Sequence, residues 1–146
     1  MHFTKSYYLV AAIALLVMAA SFGTAQAARV SATIDLSAQR MYVSVNGKPA
    51  YAWAVSTGRK GYSTPTGRYR PTRMYREYYS RKYDNAPMPH SIFFRGGYAI
   101  HGTNHVKALG RRASHGCVRL APGNARTLYN LVRQYGAGNT AISIRH

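Results

Sequence analysis

Val30-Ser-Ala-Thr-Ile-Asp-Leu36, followed by Met41-Tyr-Val-Ser-Val45 and the pair Asn46-Gly47, is the stretch that decides the fold class. Both segments alternate apolar with polar side chains and are rich in β-branched residues, a pattern typical of strands with one buried face. Asn-Gly favours a two-residue hairpin turn, here leading into a third strand predicted over Tyr51 to Ser56. We therefore expect the first three strands to form one antiparallel sheet.

The rest of the chain predicts a mostly β domain with one main helix near its C-terminus. Residues 68–90 show no clean period and contain several prolines, which indicates a long basic excursion from the sheet. Gly136 is the expected C-cap of the helix. The remaining predicted elements are strands over Ser91 to Phe94, Tyr98 to His101 and Ala141 to Ile144, and the helix over Pro122 to Tyr135.

Cys117 is the only cysteine of the chain. A thiol attacks as thiolate, and a free cysteine with a pKa of about 8.5 is mostly protonated at neutral pH. His115 precedes it by two residues and His101, predicted at a strand end, by sixteen, so an imidazole is available to accept the thiol proton. Gly116 lets the substrate approach the chain closely, and backbone N–H groups near the thiol can bind an oxyanion. These residues predict acyl transfer with Cys117 as the nucleophile.

Residues 1–27 carry the three parts of a secretory signal peptide. A short basic start precedes an unbroken apolar run from Leu9 to Ala20, and Ala25-Gln-Ala27 is a typical cleavage sequence. The apolar run is shorter than the roughly 20 residues that a membrane-spanning helix needs. We expect cleavage after Ala27, export across the inner membrane to the periplasm or cell wall, and a mature domain over residues 28–146.

Composition restricts the partners of an exported chain. A secreted protein with one cysteine cannot form an internal disulfide, so its thiol indicates a function, with an inert buried cysteine as the alternative. The formal net charge is +17 with three acidic residues, and the positive charge is dense over residues 68–83. We expect this arginine-rich surface to bind an anionic envelope polymer, or to be a solvated loop, and we expect no nucleic-acid partner.

Five short motifs follow one another along the chain: Ser56-Thr-Gly58, Thr64-Pro-Thr-Gly67, Met88-Pro89, Ile100-His-Gly-Thr103 and Ser114-His-Gly-Cys-Val-Arg-Leu120. In this order they resemble the signature of L,D-transpeptidase catalytic domains of the YkuD type. The resemblance covers about Val30 to Ile144, and its last motif is the most specific. It implies a β-sandwich with one capping helix, acting on peptidoglycan without a metal or another cofactor.

The resemblance implies a two-step reaction. Cys117 attacks the carbonyl of the third stem residue, a diamino acid, and expels the terminal D-alanine to leave a thioester. An amine of a second stem resolves it into a 3-3 cross-link, or an envelope protein is the acceptor. The resemblance makes His101 the general base and acid, oriented by the backbone carbonyl of Gly102. It makes His115 part of the oxyanion pocket, with the N–H groups of Gly116 and Cys117 as donors.

The residues expected to contact substrate are Ser114, Arg119, Met88, Phe93 and Thr103. Ser114 is also expected to fix the loop, and Arg119 to meet a stem carboxylate or to serve a structural role. Two more histidines lie near the motifs. His105 is expected in a loop and His90 on the wall of the cleft.

Two other functions are compatible with the same residues. Zinc is bound by imidazole and thiolate, and the donors that would serve it are His101, His105, His115 and Cys117. Structural zinc sites favour several cysteines, however, whereas this chain has one. A cationic envelope-binding protein without catalysis would use the arginine-rich segment alone.

Overall fold

The computed structural model describes residues 28–146, so the predicted signal peptide lies outside the described residues. Two sheets, a short two-stranded ribbon and one α-helix make up the secondary structure of this part of the chain, together with two short 3-10 turns. None of the helices described there is long and apolar enough to span a membrane. The architecture is mostly β, as predicted.

The first sheet contains the strands β1 (Val30–Asp35), β2 (Arg40–Val45), β3 (Lys48–Ala54), β4 (Gly67–Tyr69) and β11 (Thr140–Arg145). Their order is β3-β2-β1-β11-β4. The first three strands form the predicted antiparallel meander, and Asn46 and Gly47 turn between β2 and β3 with positive φ angles. β11 pairs in parallel with β1 along its whole length and separates it from β4.

The second sheet is built from β5 (Arg73–Tyr75), β8 (Ser91–Arg95), β9 (Tyr98–Gly102) and β10 (Val118–Leu120). Its order is β10-β9-β8-β5, with β9 and β10 parallel and the other pairs antiparallel. A ribbon of β6 (Tyr79–Ser80) and β7 (Ala86–Pro87) stands apart from both sheets.

The excursion predicted over residues 68–90 is more ordered than expected. Its first part contains β4 and β5, which extend the two sheets, and its second part is the β6–β7 ribbon. β10 was also not predicted. Strands of two or three residues are too short to show an alternating pattern, so sequence periodicity does not detect them.

The predicted helix α1 spans Pro122–Tyr135. Proline suits its first turn because the N–H groups there have no partner inside the helix. Ala121 gives the N-terminus no side-chain cap, whereas Gly136 ends the helix with φ 91° and donates its N–H to the carbonyl of Val132. The buried face consists of Ala125, Leu128, Tyr129 and Val132. This face packs mainly against β9 and so supports the strand that carries His101.

One core lies between the sheets and the helix, and the outer face of the second sheet is where the motif residues gather. Ile100, Val118 and Leu120 are at most 1% exposed and belong to the main core. Because successive side chains of a strand alternate between its faces, their neighbours His101 and Arg119 point to the other side. That side also holds a small apolar cluster of Met88, Phe93 and Ala99, against which Cys117 packs.

Candidate active site

A cavity of about 610 Å³ lies on this outer face of the second sheet. The predicted site residues that line it are Met88, His101, Thr103, His115, Cys117 and Arg119. The β6–β7 ribbon supplies the opposite wall through Ser80, Lys82, Tyr83, Asp84, Ala86 and Pro87. The ribbon therefore encloses the cavity from outside, a role that the sequence pattern did not show.

Parallel pairing of β9 and β10 brings the thiol and the imidazole together. His101 is in register with Arg119, and Cys117 lies two residues before Arg119 along the same strand direction. Two residues is one full period of a strand, so Cys117, His101 and Arg119 share a face. Residues sixteen positions apart in sequence thus meet in one cavity.

His101 is oriented through its own neighbour. It is 6% exposed, and its Nδ1 lies 2.7 Å from the carbonyl oxygen of Gly102. A carbonyl only accepts, so Nδ1 carries the proton of the neutral ring and Nε2 keeps its lone pair. Gly102 donates its N–H to the Pro89 carbonyl at 2.9 Å, and a Cβ there would lie 3.1 Å from the Pro89 ring. The hydrogen bond fixes the backbone that orients the imidazole, and the close approach to Pro89 leaves little room for a side chain at position 102.

Burial keeps both reactive groups neutral. Burial is the main cause that lowers the pKa of His101 to about 4, and the positive charge of Arg119 lowers it further, against the opposing hydrogen bond to Gly102. Burial likewise raises the pKa of the Cys117 thiol, although a backbone hydrogen bond from Ala99 and the charge of Arg119 act in the other direction. At neutral pH the pair is therefore a thiol beside a neutral imidazole.

Hydrogen bonds to Ser114 and Thr64 fix the loop before Cys117. Ser114 is fully buried, and its Oγ accepts the Gly116 N–H at 3.0 Å and donates to the Cys117 carbonyl at 2.6 Å. Thr64 Oγ1 donates to the Gly116 carbonyl at 2.8 Å and accepts the Gly58 N–H at 2.9 Å. The Gly116 N–H, which the resemblance implies as an oxyanion donor, thus donates to Ser114 in this structure, and its role towards an oxyanion stays a prediction.

Gln39 links this loop to the first sheet, and the sequence analysis missed it. It is 5% exposed, donates from Nε2 to Thr57 Oγ1 at 2.6 Å, and accepts the Thr57 N–H at 3.0 Å. The Thr57 carbonyl then accepts the N–H groups of Ala113 and Ser114, each at 3.0 Å. A glutamine in a turn between two strands looks like a surface residue, so no sequence signal marks it.

Two tyrosines hold the ring of His115. Tyr83 of the ribbon stacks on it with centroids 4.3 Å apart and planes at 12°, and Tyr62 meets it edge-on at 4.9 Å. Partial burial is the main cause that lowers the pKa of His115. The arrangement connects the ribbon to the residue two positions before the thiol.

Of the predicted contact residues, Phe93 does not line the cavity. It is 2% exposed and packs beneath the wall with Met88 and Ala99, so it supports the site from behind. Ser114 is likewise buried and positions the loop. Thr103 and Met88 are buried but reach the cavity, and the half-buried Arg119 makes a 3.5 Å hydrogen bond to the Ala113 carbonyl.

Of the two additional histidines, His105 lies in a loop, as expected, and it also lines the cavity. His90 does not line the cavity as expected but packs edge-on against Tyr129 of α1, with ring centroids 5.3 Å apart. His90 has a positive φ of 53°, so its backbone turns away from the strand that follows. The alternation pattern could not show this turn.

The alternative zinc site is not assembled in the described part of the chain. No group of three or more His, Cys, Asp or Glu side chains over residues 28–146 is arranged to hold a metal ion. The donors proposed for it share a cavity but not a coordination sphere.

Comparisons with known proteins agree with this geometry. The family model described as the L,D-transpeptidase catalytic domain (YkuD) matches residues 29–142. The chain is similar to a solved L,D-transpeptidase from Stackebrandtia nassauensis, with 27% identity and a TM-score of 0.71 over 88% of this chain and 62% of that one. An L,D-transpeptidase from Mycobacterium smegmatis gives 23% identity and a TM-score of 0.72, over 82% and 59% of the two chains.

A third similar structure is L,D-transpeptidase 3 from Mycobacterium tuberculosis in complex with a faropenem-derived adduct, with 20% identity and a TM-score of 0.69 over 82% of this chain and 61% of that one. The chain thus spans about three-fifths of the length of these solved structures. No curated protein sequence gives a significant match.

Burial of neutral His101 predicts that the protein loses stability as the pH falls from about 6.5 to about 4. The pKa of His101 is lower in the folded state than in the unfolded chain, so as the pH falls the unfolded chain takes up a proton first. The folded state therefore has its full stability above the unfolded pKa and loses stability as the pH falls towards the folded pKa. The free energy of unfolding should fall by up to about 3 kcal/mol across this window. Urea unfolding at several pH values measures it.

The matched control for this experiment is His101→Gln, which cannot titrate. Its free energy of unfolding should depend less steeply on pH than that of the wild type. The residual slope comes from other groups, including His90 and His115, whose pKa values burial also lowers. An unchanged slope would show that His101 is not the group that titrates.

Proposed function

Since the chain belongs to the L,D-transpeptidase catalytic domain family, we propose that it is a cysteine-dependent transpeptidase of peptidoglycan stem peptides. One observation carries the proposal. Cys117 and a neutral His101, whose Nε2 lone pair is unprotonated, share one face and one cavity. Nucleophilic catalysis by a thiol needs a base of this kind within the site.

Acylation follows from the protonation states of this pair. As Sγ of Cys117 attacks the carbonyl carbon of the diamino acid, Nε2 of His101 accepts the thiol proton. The tetrahedral intermediate then breaks its C–N bond, and the imidazolium protonates the departing amine of D-alanine. An imidazolium with a pKa of about 4 gives up its proton readily, so the burial that keeps His101 unprotonated at rest also favours proton transfer to the departing amine.

Deacylation runs the same proton path in reverse. The amine of the acceptor attacks the thioester carbonyl, His101 takes up the amine proton, and the C–S bond breaks as that proton returns to sulfur. Arg119 contributes charge to both steps, because it lowers the pKa of the Cys117 thiol and stabilises negative charge next to it. A second stem or an envelope protein supplies the amine.

The proposed place of action is the periplasm or cell wall, where stem peptides occur. The signal-peptide pattern of residues 1–27 and the one cysteine of the chain support export. Exposed arginines of the excursion support binding to an anionic envelope polymer. Arg70 and Arg73 direct their hydrogen bonds to backbone carbonyls, which leaves their charge uncompensated.

The decisive experiment incubates residues 28–146 with purified stem tetrapeptides and identifies the products by mass. Free D-alanine together with a dimer of the expected mass supports the proposal. Pull-down with wall polymer in low and high salt tests the arginine-rich surface separately. A protein that binds polymer and releases no D-alanine would be a cationic envelope-binding protein.

We predict that Cys117→Ser and Cys117→Ala abolish D-alanine release and leave the fold intact. A serine hydroxyl has a much higher pKa than a thiol, and one imidazole activates it poorly. Release of D-alanine measures activity, and circular dichroism measures whether the fold is intact. More than trace activity in either Cys117 variant would disprove the nucleophile assignment.

His101→Ala should reduce the rate of D-alanine release by about 10² to 10⁴-fold, the usual contribution of a positioned general base.

Alkylation of Cys117 by a small neutral reagent should report a thiol and not a preformed thiolate. Because burial raises the pKa of Cys117, the alkylation rate should rise with pH through a midpoint above that of a free cysteine. Rates measured by intact mass from pH 5 to pH 10 give the profile. A plateau already reached at neutral pH would instead indicate a thiolate–imidazolium pair in the resting enzyme.

A carbapenem should acylate the wild-type protein once. The thiol that attacks a stem carbonyl can also open a strained β-lactam, and one similar structure holds a faropenem-derived adduct. Intact-mass measurement should show a single drug-sized increase. The matched control is Cys117→Ala, in which the same increase would show that another residue reacts.

A further inference from the structure

The ring of His115 contacts two tyrosine rings, and a cation lies near each of those tyrosines. Tyr83 stacks on the His115 ring, and Lys82 places its Nζ 5.4 Å from the centroid of Tyr83. Tyr62 meets the same ring edge-on, and the guanidinium of Arg59 lies 4.8 Å from the centroid of Tyr62. Each cation is thus held over an aromatic ring, at a defined place beside the thiol loop.

Arg119 adds a third positive charge at the same place. It lines the cavity together with Lys82, His115 and Cys117. Arg59 is tied to the loop as well, because its backbone N–H donates to the Ser114 carbonyl at 3.0 Å. Besides burial, the charges of all three cations lower the pKa of His115. Burial, and after it the charge of Arg59, lowers the pKa of Arg119, so Arg59 and Arg119 lie close enough to repel each other.

The cavity offers little negative charge in return. Among the residues that line it, Asp84 at the turn of the β6–β7 ribbon is the one carboxylate. Asp35 binds its own turn through Ser37 and Ala38, far from the site in the first sheet. Positive charges held near one another with too little negative charge to balance them are unfavourable, and an anionic ligand relieves that cost when it binds.

We propose that Lys82 and Arg119 on the cavity wall, together with Arg59 on the segment bonded to Ser114, form a carboxylate-recognition subsite, which selects donor stems with a free carboxylate next to the scissile bond. Guanidinium and ammonium groups form charge-assisted hydrogen bonds with carboxylates. A stem ending in diamino acid–D-alanine offers two such groups, the terminal carboxylate of D-alanine and the side-chain carboxylate of the diamino acid. The subsite rests on the proposed function and specifies its donor.

The position of the subsite suits either carboxylate. Both lie within a few bonds of the carbonyl that Cys117 attacks, and His115, whose pKa burial and the three cations lower, is two residues from Cys117. Selection at this place acts on the donor and not on the acceptor, because the donor carbonyl must reach the thiol first. Amidation of the relevant carboxylate removes the charge that the cations recognise.

Binding to the Cys117→Ala protein tests the subsite without turnover. The probes are a stem tetrapeptide, the same peptide amidated at its C-terminus, and the same peptide amidated at the diamino-acid side chain. Calorimetry should show that one amidation weakens binding by about tenfold, the usual size of one charge-assisted hydrogen bond, and thereby identifies the carboxylate. Lys82→Gln and Arg59→Gln should weaken binding of the free acid. They should leave binding nearly unchanged for the amide that the wild-type site binds about tenfold more weakly.

Lys48→Gln and Arg133→Gln are the matched controls, since each removes one exposed positive charge elsewhere, in β3 and in α1. Equal binding of the acid and both amides would overturn the subsite, as would equal losses in the control variants. Release of D-alanine by the wild-type protein is measured in parallel. If it is absent while the acid still binds better than one amide, the proposed function fails and the subsite stands.

Discussion

The parallel register between β9 and β10 is the constraint on which the site depends. It pairs Ile100 with Val118 on the core side and His101 with Arg119 on the cavity side. A slip of one residue would exchange the faces, sending Cys117 towards the core and Val118 into the cavity. Burial of Ile100, Val118 and Leu120, each at most 1% exposed, makes such a slip costly. The packing of apolar residues thus determines which polar residues face the substrate.

Desolvation then determines the chemistry of these polar residues. A surface histidine titrates near pH 6.5. In the wall of the cavity, burial lowers the pKa of His101 to about 4 and raises that of Cys117, so both groups are neutral in the resting protein. The hydrogen bond from Nδ1 to Gly102 adds orientation without adding charge. A carboxylate is therefore not needed to orient the imidazole, which fits a chain with three acidic residues.

Local patterns predicted much of the fold and part of the site. The meander of β1 to β3, the strands β8 and β9 and the helix α1 carry clear periodicities, and the structure contains all of them. The resemblance pointed to Cys117 and His101, which the structure places in one cavity. What remained hidden depends on contacts between distant segments. Gln39 reaches Thr57, and Tyr83 reaches His115, only because the folded chain brings their elements together.

The same physical factor bears on the roles expected for Phe93 and Gly116. Phe93 stands in a strand close to the site, but the face it occupies lies beneath Met88, and a side chain buried there cannot touch substrate. The Gly116 N–H lies next to the thiol, but the Ser114 hydroxyl two residues earlier occupies it. Proximity in sequence says nothing about which direction is open to solvent, or about which donors are already in use.

The parallel pairing of β1 with β11 has a consequence for how the chain reaches its native state. The parallel partner of β1 is β11, which lies more than a hundred residues later in the chain. β4 joins the same sheet only by pairing with β11. Such a topology has a high contact order, and closing so long a loop precedes any gain from the pairing. The first sheet therefore stays incomplete until β11, the last of its strands along the chain, pairs with β1.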